Sequence, residues 1–299
     1  MSKLLSDTAR HRQIGIALVT ATTVMFAVLD TSAKWLVQTL PVLQVVWLRF
    51  LVHTVLTTVM FTPSMGMRLF VVSNPRLQLL RGVMLAVMTA LNFFALQYLQ
   101  LAETGAVQFS VPILIALISA WLLGERLDTK RWVAIGIGFL GVLIIIRPGS
   151  HGFHPAIFLS ILNACLYAGF NLMTRRLVGS DNPVTTQLAS AAVATLLLAP
   201  FALWHWQSPD GWQTWLIVVA AGVSGGLGHM ASAMAHRYAT AAVLGPFLYQ
   251  QIIYMTLGGW LVFGQIPDSA VALGACIVIL SGLYLLWREF RKTDPLILE

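Results

Sequence analysis

Runs of apolar residues, separated by short breaks rich in polar residues, glycine and proline, divide this chain into ten stretches. They cover residues 13–37, 42–62, 77–99, 103–124, 131–147, 154–174, 184–204, 213–235, 240–263 and 269–288. An α-helix needs about 20 mostly apolar residues to cross the hydrocarbon of a bilayer, and each stretch is close to that length. Little chain is left between them, so the pattern predicts an all-α integral membrane protein of ten transmembrane helices with no separate soluble domain.

Composition agrees with the pattern. Hydrophobic residues make up 58% of the 299 residues and charged ones 10%, against roughly 25% charged in a soluble domain. The net charge of +7 is spread in a way that argues against a nucleic-acid partner. With the N-terminus inside and ten crossings, 15 of the 18 Lys and Arg residues fall on the inner side, among them Arg10, Arg68, Arg76, Arg81, Arg131, Arg175, Arg237 and Arg288. Arg147 falls outside, Lys34 near an outer helix end, and Arg49 within the second stretch. This is the bias of the positive-inside rule. It predicts cytoplasmic termini and a multi-pass protein of the bacterial inner membrane. The first apolar stretch lacks a small-residue cleavage site and reads as a retained helix. No GxxxxGK[ST] loop supports ATP-driven pumping. Cys165 and Cys276 fall inside helices, where they are expected to pack, and no metal-ligand cluster or cofactor is predicted.

The chain repeats itself. A shift of 141 lays Phe26–Val37 over Tyr167–Val178, matching Phe26 to Tyr167, Asp30 to Asn171 and Lys34 to Arg175. A shift of 136 matches Thr104 to Thr240 and Ala106-Val107 to Ala242-Val243, and a shift of 140 matches Gly124 to Gly264 and Asp128 to Asp268. The three matches are collinear. They predict two five-helix units, 13–147 and 154–288, and an odd helix count inverts the second against the first. Inverted repeats are a common plan of secondary transporters, with the substrate near mid-membrane between the halves.

Three segments carry a family likeness: Trp47–Phe50 (WLRF), Ala95–Val107 (ALQYLQLAETGAV), and Leu122–Leu127 (LLGERL) followed by Gly136, Gly141 and Val142. With them the chain resembles the drug/metabolite transporter superfamily, EamA type, over residues 13–288, and within it most resembles the aromatic amino-acid exporter branch. In the second half Gln265 stands where the likeness calls for an acid, followed by Pro267. The resemblance implies a small-molecule substrate, from a family range that includes amino acids, nucleotide sugars, sugar phosphates, nucleobases and drugs.

Ionisable groups inside a membrane are costly and mark functional positions. Asp30 lies seven residues before Val37, and Arg49 seven after Val42. Each is then about 10 Å below the outer boundary. Equal depth on neighbouring helices makes the two candidate partners, either as a structural ion pair or as a substrate or gating element. Lys34, one turn from Asp30, is an alternative partner. Asn163, Tyr167 and Asn171 recur every four residues on one helical face, which suits either interhelical hydrogen bonds or a cavity wall. Tyr249, Gln250, Gln251 and Tyr254 form a similar group. Trp47, His53, Asn92, Tyr98 and His229 are further candidates for packing or binding. Pro112, and Gly245 with Pro246, interrupt helices and are candidate hinges. Small-residue faces around Gly136–Gly141 and Gly274–Gly282 suit close helix contacts within the chain or between two copies.

The function predicted is a secondary transporter that exports small amphipathic metabolites, most directly amino acids, by alternating access between membrane faces. Arg and amide groups can take a carboxylate, and an acid or ring faces an ammonium. An integral membrane enzyme would need clustered His or carboxylate motifs, which the sequence lacks. Efflux of lipophilic cations would favour a buried acid without a neighbouring base.

Overall fold

A computed structural model describes residues 9–122, 129–147, 153–177, 181–239 and 241–293. Among these are twelve α-helices and one 3-10 turn, Gly66–Phe70. The helices are α1 (Ala9–Leu36), α2 (Val42–Met65), α3 (Pro75–Leu96), α4 (Leu101–Gln108), α5 (Val111–Leu122), α6 (Thr129–Ile146), α7 (Ile157–Leu177), α8 (Pro183–Trp204), α9 (Gly211–Tyr238), α10 (Ala241–Leu248), α11 (Gln251–Phe263) and α12 (Ser269–Thr293). Six of them, α1, α2, α3, α6, α8 and α9, are long and apolar enough to cross a membrane.

Helix starts follow local chemistry. Asn74 and Asn182 cap α3 and α8 by accepting the N–H groups of Leu77 and Val184 at 3.1 and 2.9 Å. Pro75 and Pro183 follow at the first position, where a missing N–H costs nothing. Glu103 closes a capping box on α4 by accepting the Gln100 N–H at 2.7 Å.

Two predicted spans are each interrupted. Residues 109–110 separate α4 from α5, and 249–250 separate α10 from α11. Pro112, at the second position of α5, cannot donate to the carbonyl of Gln108, so the ladder breaks just before it. Pro246 lies inside α10, and the chain yields three residues later, where Ile252 donates to Tyr249 in a tighter i→i+3 bond.

The halves pack as counterparts. Helix α1 packs on α9 as α7 packs on α3, and α2 packs on α9 as α8 packs on α3. Close contacts repeat the exchange in detail. A Cβ on Gly82 would lie 2.5 Å from Val193 Cβ and 3.2 Å from the Ser190 carbonyl oxygen. A Cβ on Gly222 would lie 2.3 Å from Val52 Cβ and 3.1 Å from the Arg49 carbonyl oxygen. Val52 and Val193, like Arg49 and Ser190, are 141 residues apart, and Gly82 and Gly222 are 140 apart. Thr54 and Thr195, also 141 apart, meet each other hydroxyl to hydroxyl at 3.2 Å. Gly141 on α6 and Gly274 on α12 each back onto the other's carbonyl, as small residues allow.

Large apolar side chains cover the outer faces, including Val59, Leu196, Leu261 and Leu280. Trp204, Trp206, Trp212 and Trp215 are exposed around the α8–α9 connection, the placement expected of an interfacial aromatic belt. Cys165 and Cys276 lie on exposed faces, not in the packed positions expected. Each shares its helix with an inward face already filled, by Ala164 and Ala168 on α7 and by Ala275 and Val278 on α12. Arg147 ends α6 and donates to Asp268, the residue that accepts the Val271 N–H at 2.9 Å at the start of α12. The Val271 and Arg147 contacts hold the Asp268 carboxyl below the usual carboxylate range. The Gly124–Asp128 segment and Thr240 lie outside the described residues.

Candidate functional site

The interior gathers polar groups where α1, α2, α3 and α9 meet. Arg49 is 2% exposed. Its Nη2 donates to His229 Nε2 at 3.4 Å, and its guanidinium lies 4.1 Å from the Phe50 ring centroid. Its Nε and Nη1 have no hydrogen-bond partner. The side chain fits only because α9 presents glycine: a Cβ on Gly225 would lie 3.1 Å from both Nε and Nη2. His53, one turn along α2, stacks on His229 with ring centroids 6.1 Å apart and planes 11° apart. Its ring rests on Gly226, and its Nδ1 is buried without a partner. Phe26 of α1 meets His229 edge to face at 5.0 Å and rests on Gly228.

Asp30 is buried beside this group and accepts the Asn92 amide N–H at 3.0 Å. Among the described residues no ion pair joins it to Arg49. The expected partnership is replaced by two separate ones, Asp30 with Asn92 and Arg49 with His229. The opposite charges still act on each other across a gap. What depth does not fix is the rotation of each helix about its axis. The alternative partner of Asp30 is also overturned: Lys34 Nζ donates to the carbonyls of Leu96 and Leu99 at 3.0 and 2.6 Å. It closes the C-terminus of α3, where a cation meets orphan carbonyls and the negative end of the helix dipole.

The α7 face divides. Asn163 donates to Gln108 Oε1 at 3.2 Å, and Asn171 donates to the carbonyl of Tyr167 in its own helix at 2.7 Å. The Tyr167 ring stacks with Phe170 at 6.2 Å. At the other interrupted helix, Gln250 donates to Thr20 at 2.9 Å and faces the Tyr254 hydroxyl at 3.4 Å. Gln251 reaches the Met255 sulfur within its own helix. Tyr249 and Phe109, one from each break, touch with centroids 5.1 Å apart, and the Tyr249 hydroxyl is buried without a partner against Gly282. The two breaks, one just before Pro112 and one just after Gly245 and Pro246, therefore meet through aromatic rings. Trp47 and Tyr98 stand apart from the central group: Trp47 meets Trp206 edge to face at 6.2 Å, and exposed Tyr98 stacks on His154 at 4.7 Å.

Sequence reasoning passed over Arg81, which it placed with the inner-side charges. Its side chain is buried 4.4 Å from the Phe170 ring centroid, donates to Thr174 at 3.2 Å and to the Thr186 carbonyl at 3.2 Å, and bonds Ser190. It ties α3 to α7 and α8. It also passed over the glycine face of α9. The signal was present, since Gly222, Gly225 and Gly226 recur at i, i+3 and i+4.

Comparison with known proteins matches residues 13–147 and 154–287 separately to the EamA-like transporter family. A riboflavin transporter of Vibrio cholerae is 34% identical over 192 residues, which cover 63% of each chain, so the match spans less than two thirds of that relative. An S-adenosylmethionine uptake transporter of Rickettsia felis is 24% identical over 95% of this chain and 96% of its own. A pseudopaline exporter of Pseudomonas aeruginosa is 26% identical over 89% and 94%. A solved crystal structure shares the fold with a TM-score of 0.58 at 22% identity, covering 92% of this chain and 98% of its own.

Proposed function

Because this chain belongs to the EamA-like transporter family and is a multi-pass membrane transporter, we propose that it carries a small amphipathic metabolite with an amino-acid head group and a planar ring. The movement is alternating access between two inverted five-helix units. The observation that supports this most is the pair of unpartnered N–H donors on buried Arg49. Buried polar groups are almost always hydrogen-bonded, and a carboxylate can take one free donor, Nε on one edge of the guanidinium or Nη1 on the other, with the second N–H of Nη2 completing the fork. Asp30 stands across the gap with one oxygen engaged by Asn92, available to an ammonium. Phe26 and Tyr167, both only partly buried, offer aromatic surface to a ring. Free amino acids and S-adenosylmethionine both carry this head group. Export of amino acids remains within the proposal, since relatives bear names of both uptake and export.

Purified protein in proteoliposomes is expected to accumulate radiolabelled S-adenosylmethionine or L-tryptophan faster than empty vesicles. Each should compete with the other, and tryptamine, which keeps ring and ammonium but lacks the carboxylate, should not compete. Equal competition by tryptamine would remove Arg49 from head-group recognition. A second reading, a flavin without such a head group, draws on the Vibrio relative. Accumulation of riboflavin alone would select it.

The layout that goes with this reading is ten spans, with α4–α5 and α10–α11 each serving as one interrupted span, and both termini cytoplasmic. Reporter fusions after Glu299 and beside Asp210 should report opposite sides of the membrane. The same side for both would overturn the layout and the inversion together.

A further inference from the structure

Arg49 can only donate hydrogen bonds, so its contact with His229 Nε2 requires a lone pair on that nitrogen. His229 is then a neutral imidazole with its proton on Nδ1. On that basis we infer that this transporter moves a proton with each substrate, taken up at His229 when a carboxylate occupies Arg49. The inference rests on the head-group reading given above.

The geometry makes the two events depend on each other. Without a ligand, a proton on His229 Nε2 would abolish the bond from Arg49 and set a second cation within 3.4 Å of the guanidinium. The neighbours offer little relief. His53 stacks on the same ring from α2, Arg81 on α3 adds positive charge at His229, and Phe26 covers it from α1. Asp30 on α1 is bonded to Asn92 and acts on Arg49 from a distance. Tyr167 on α7 is the remaining titratable group near Arg81. A carboxylate that takes one of the unpartnered donors of Arg49, Nε or Nη1, together with the second N–H of Nη2 brings the missing negative charge beside His229. His229 can then accept a proton from the aqueous side and turn from acceptor for Arg49 into donor to the carboxylate. The proton is the one species added, and charge balances as carboxylate and proton enter together. Reciprocity follows: if substrate raises proton affinity, protons raise substrate affinity by the same factor.

Titration calorimetry on the wild-type protein in detergent tests this, with S-adenosylmethionine and L-tryptophan as probes in two buffers of different ionisation enthalpy. Uptake of about one proton per bound probe is expected, with Kd tightening by up to about tenfold per unit fall in pH where uptake is complete. H229Q should remove the buffer dependence, and H53Q should keep it. A ligand-free arm follows the histidines by 15N NMR, with the H229Q difference spectrum assigning His229. In R49Q that signal should titrate at higher pH than in wild type. A wild-type proton count of zero across pH 5.5–8 (a range set by ordinary histidine titration, about 6.5) overturns the inference and leaves the head-group reading standing. So does an unmoved His229 titration in folded R49Q. Failure of both probes to bind overturns the head-group reading, and the inference falls with it.

Discussion

Arg49→Met is expected to raise the thermal midpoint of the purified protein while lowering transport on the order of a hundredfold or more. The two effects come from the same atoms. Two guanidinium donors of Arg49 are buried without a partner in the protein, and an unmet buried donor costs roughly 1–3 kcal/mol, more for a charged group. Replacing a buried charge by a well-packed apolar side chain is often stabilising by about 1–4 kcal/mol. Methionine is long and flexible enough to lie along Phe50 and the Gly225 gap. In a protein of this size such a change amounts to a few degrees, on the order of 2–4 °C per kcal/mol. Transport suffers because a bidentate, charge-assisted contact contributes about 1.5–3 kcal/mol per bond, and methionine makes neither bond. Thermal unfolding in detergent and probe uptake in proteoliposomes read the two quantities separately. A lowered midpoint with uptake retained would make Arg49 a structural element of the α2–α9 contact and nothing more.

Gly222→Ala and Gly82→Ala are expected to lose much of the folded protein, whereas Gly136→Ala is expected to be neutral or slightly stabilising. All three are helical glycines, so propensity alone favours alanine by about 1 kcal/mol at each. Packing decides the sign. The added methyl at Gly222 would meet Val52 Cβ at 2.3 Å and the Arg49 carbonyl at 3.1 Å, and at Gly82 it would meet Val193 Cβ at 2.5 Å and the Ser190 carbonyl at 3.2 Å. Around Gly136 nothing lies within 4 Å. Overpacking costs typically 1–3 kcal/mol and more where backbone must move. Val52→Ala should not rescue Gly222→Ala, because the Cβ of residue 52 is itself the obstacle, whereas Val52→Gly should restore part of the loss. Yield and monodispersity on size exclusion, with thermal midpoints for whatever folds, measure the series. Equal behaviour of Gly136→Ala and Gly222→Ala would mean that helix packing does not set stability here.

The course of the helices was legible because lipid imposes a length. The apolar stretches at 13–37, 42–62 and 184–204 correspond to α1, α2 and α8 within a few residues at each end. The interruptions near Pro112 and Pro246 were legible as breaks in the hydrogen-bond ladder, but not the meeting of Phe109 with Tyr249, which depends on how two distant helices approach. In the central group, Asp30 and Arg49 were singled out by the cost of burying a charge, and Asn92 and His229 only as further candidates for packing or binding. Their partners were not, because each residue turns a helix by about 100° and depth says nothing about bearing. Arg49 points to His229 because glycines on α9 leave room for it, and Lys34 turns to the carbonyls at the end of α3 instead of to Asp30. Arg81 was hidden by its nearness to the inner helix end, where a basic residue is explained by topology alone.

The exchange of Val52 on Gly222 for Val193 on Gly82 has a consequence for directionality. In the inverted arrangement proposed above, these two contacts are mirror seals for opposite faces of the membrane, built from the same residue pair over the same kind of carbonyl. A see-saw with matched arms has no resting side of its own. The imbalance enters one turn away, where Arg49 in the first half has Ser190 as its counterpart in the second. In that arrangement the preference for one face over the other has to come from unmatched positions, such as Arg49 against Ser190 and Asp30 against Asn171.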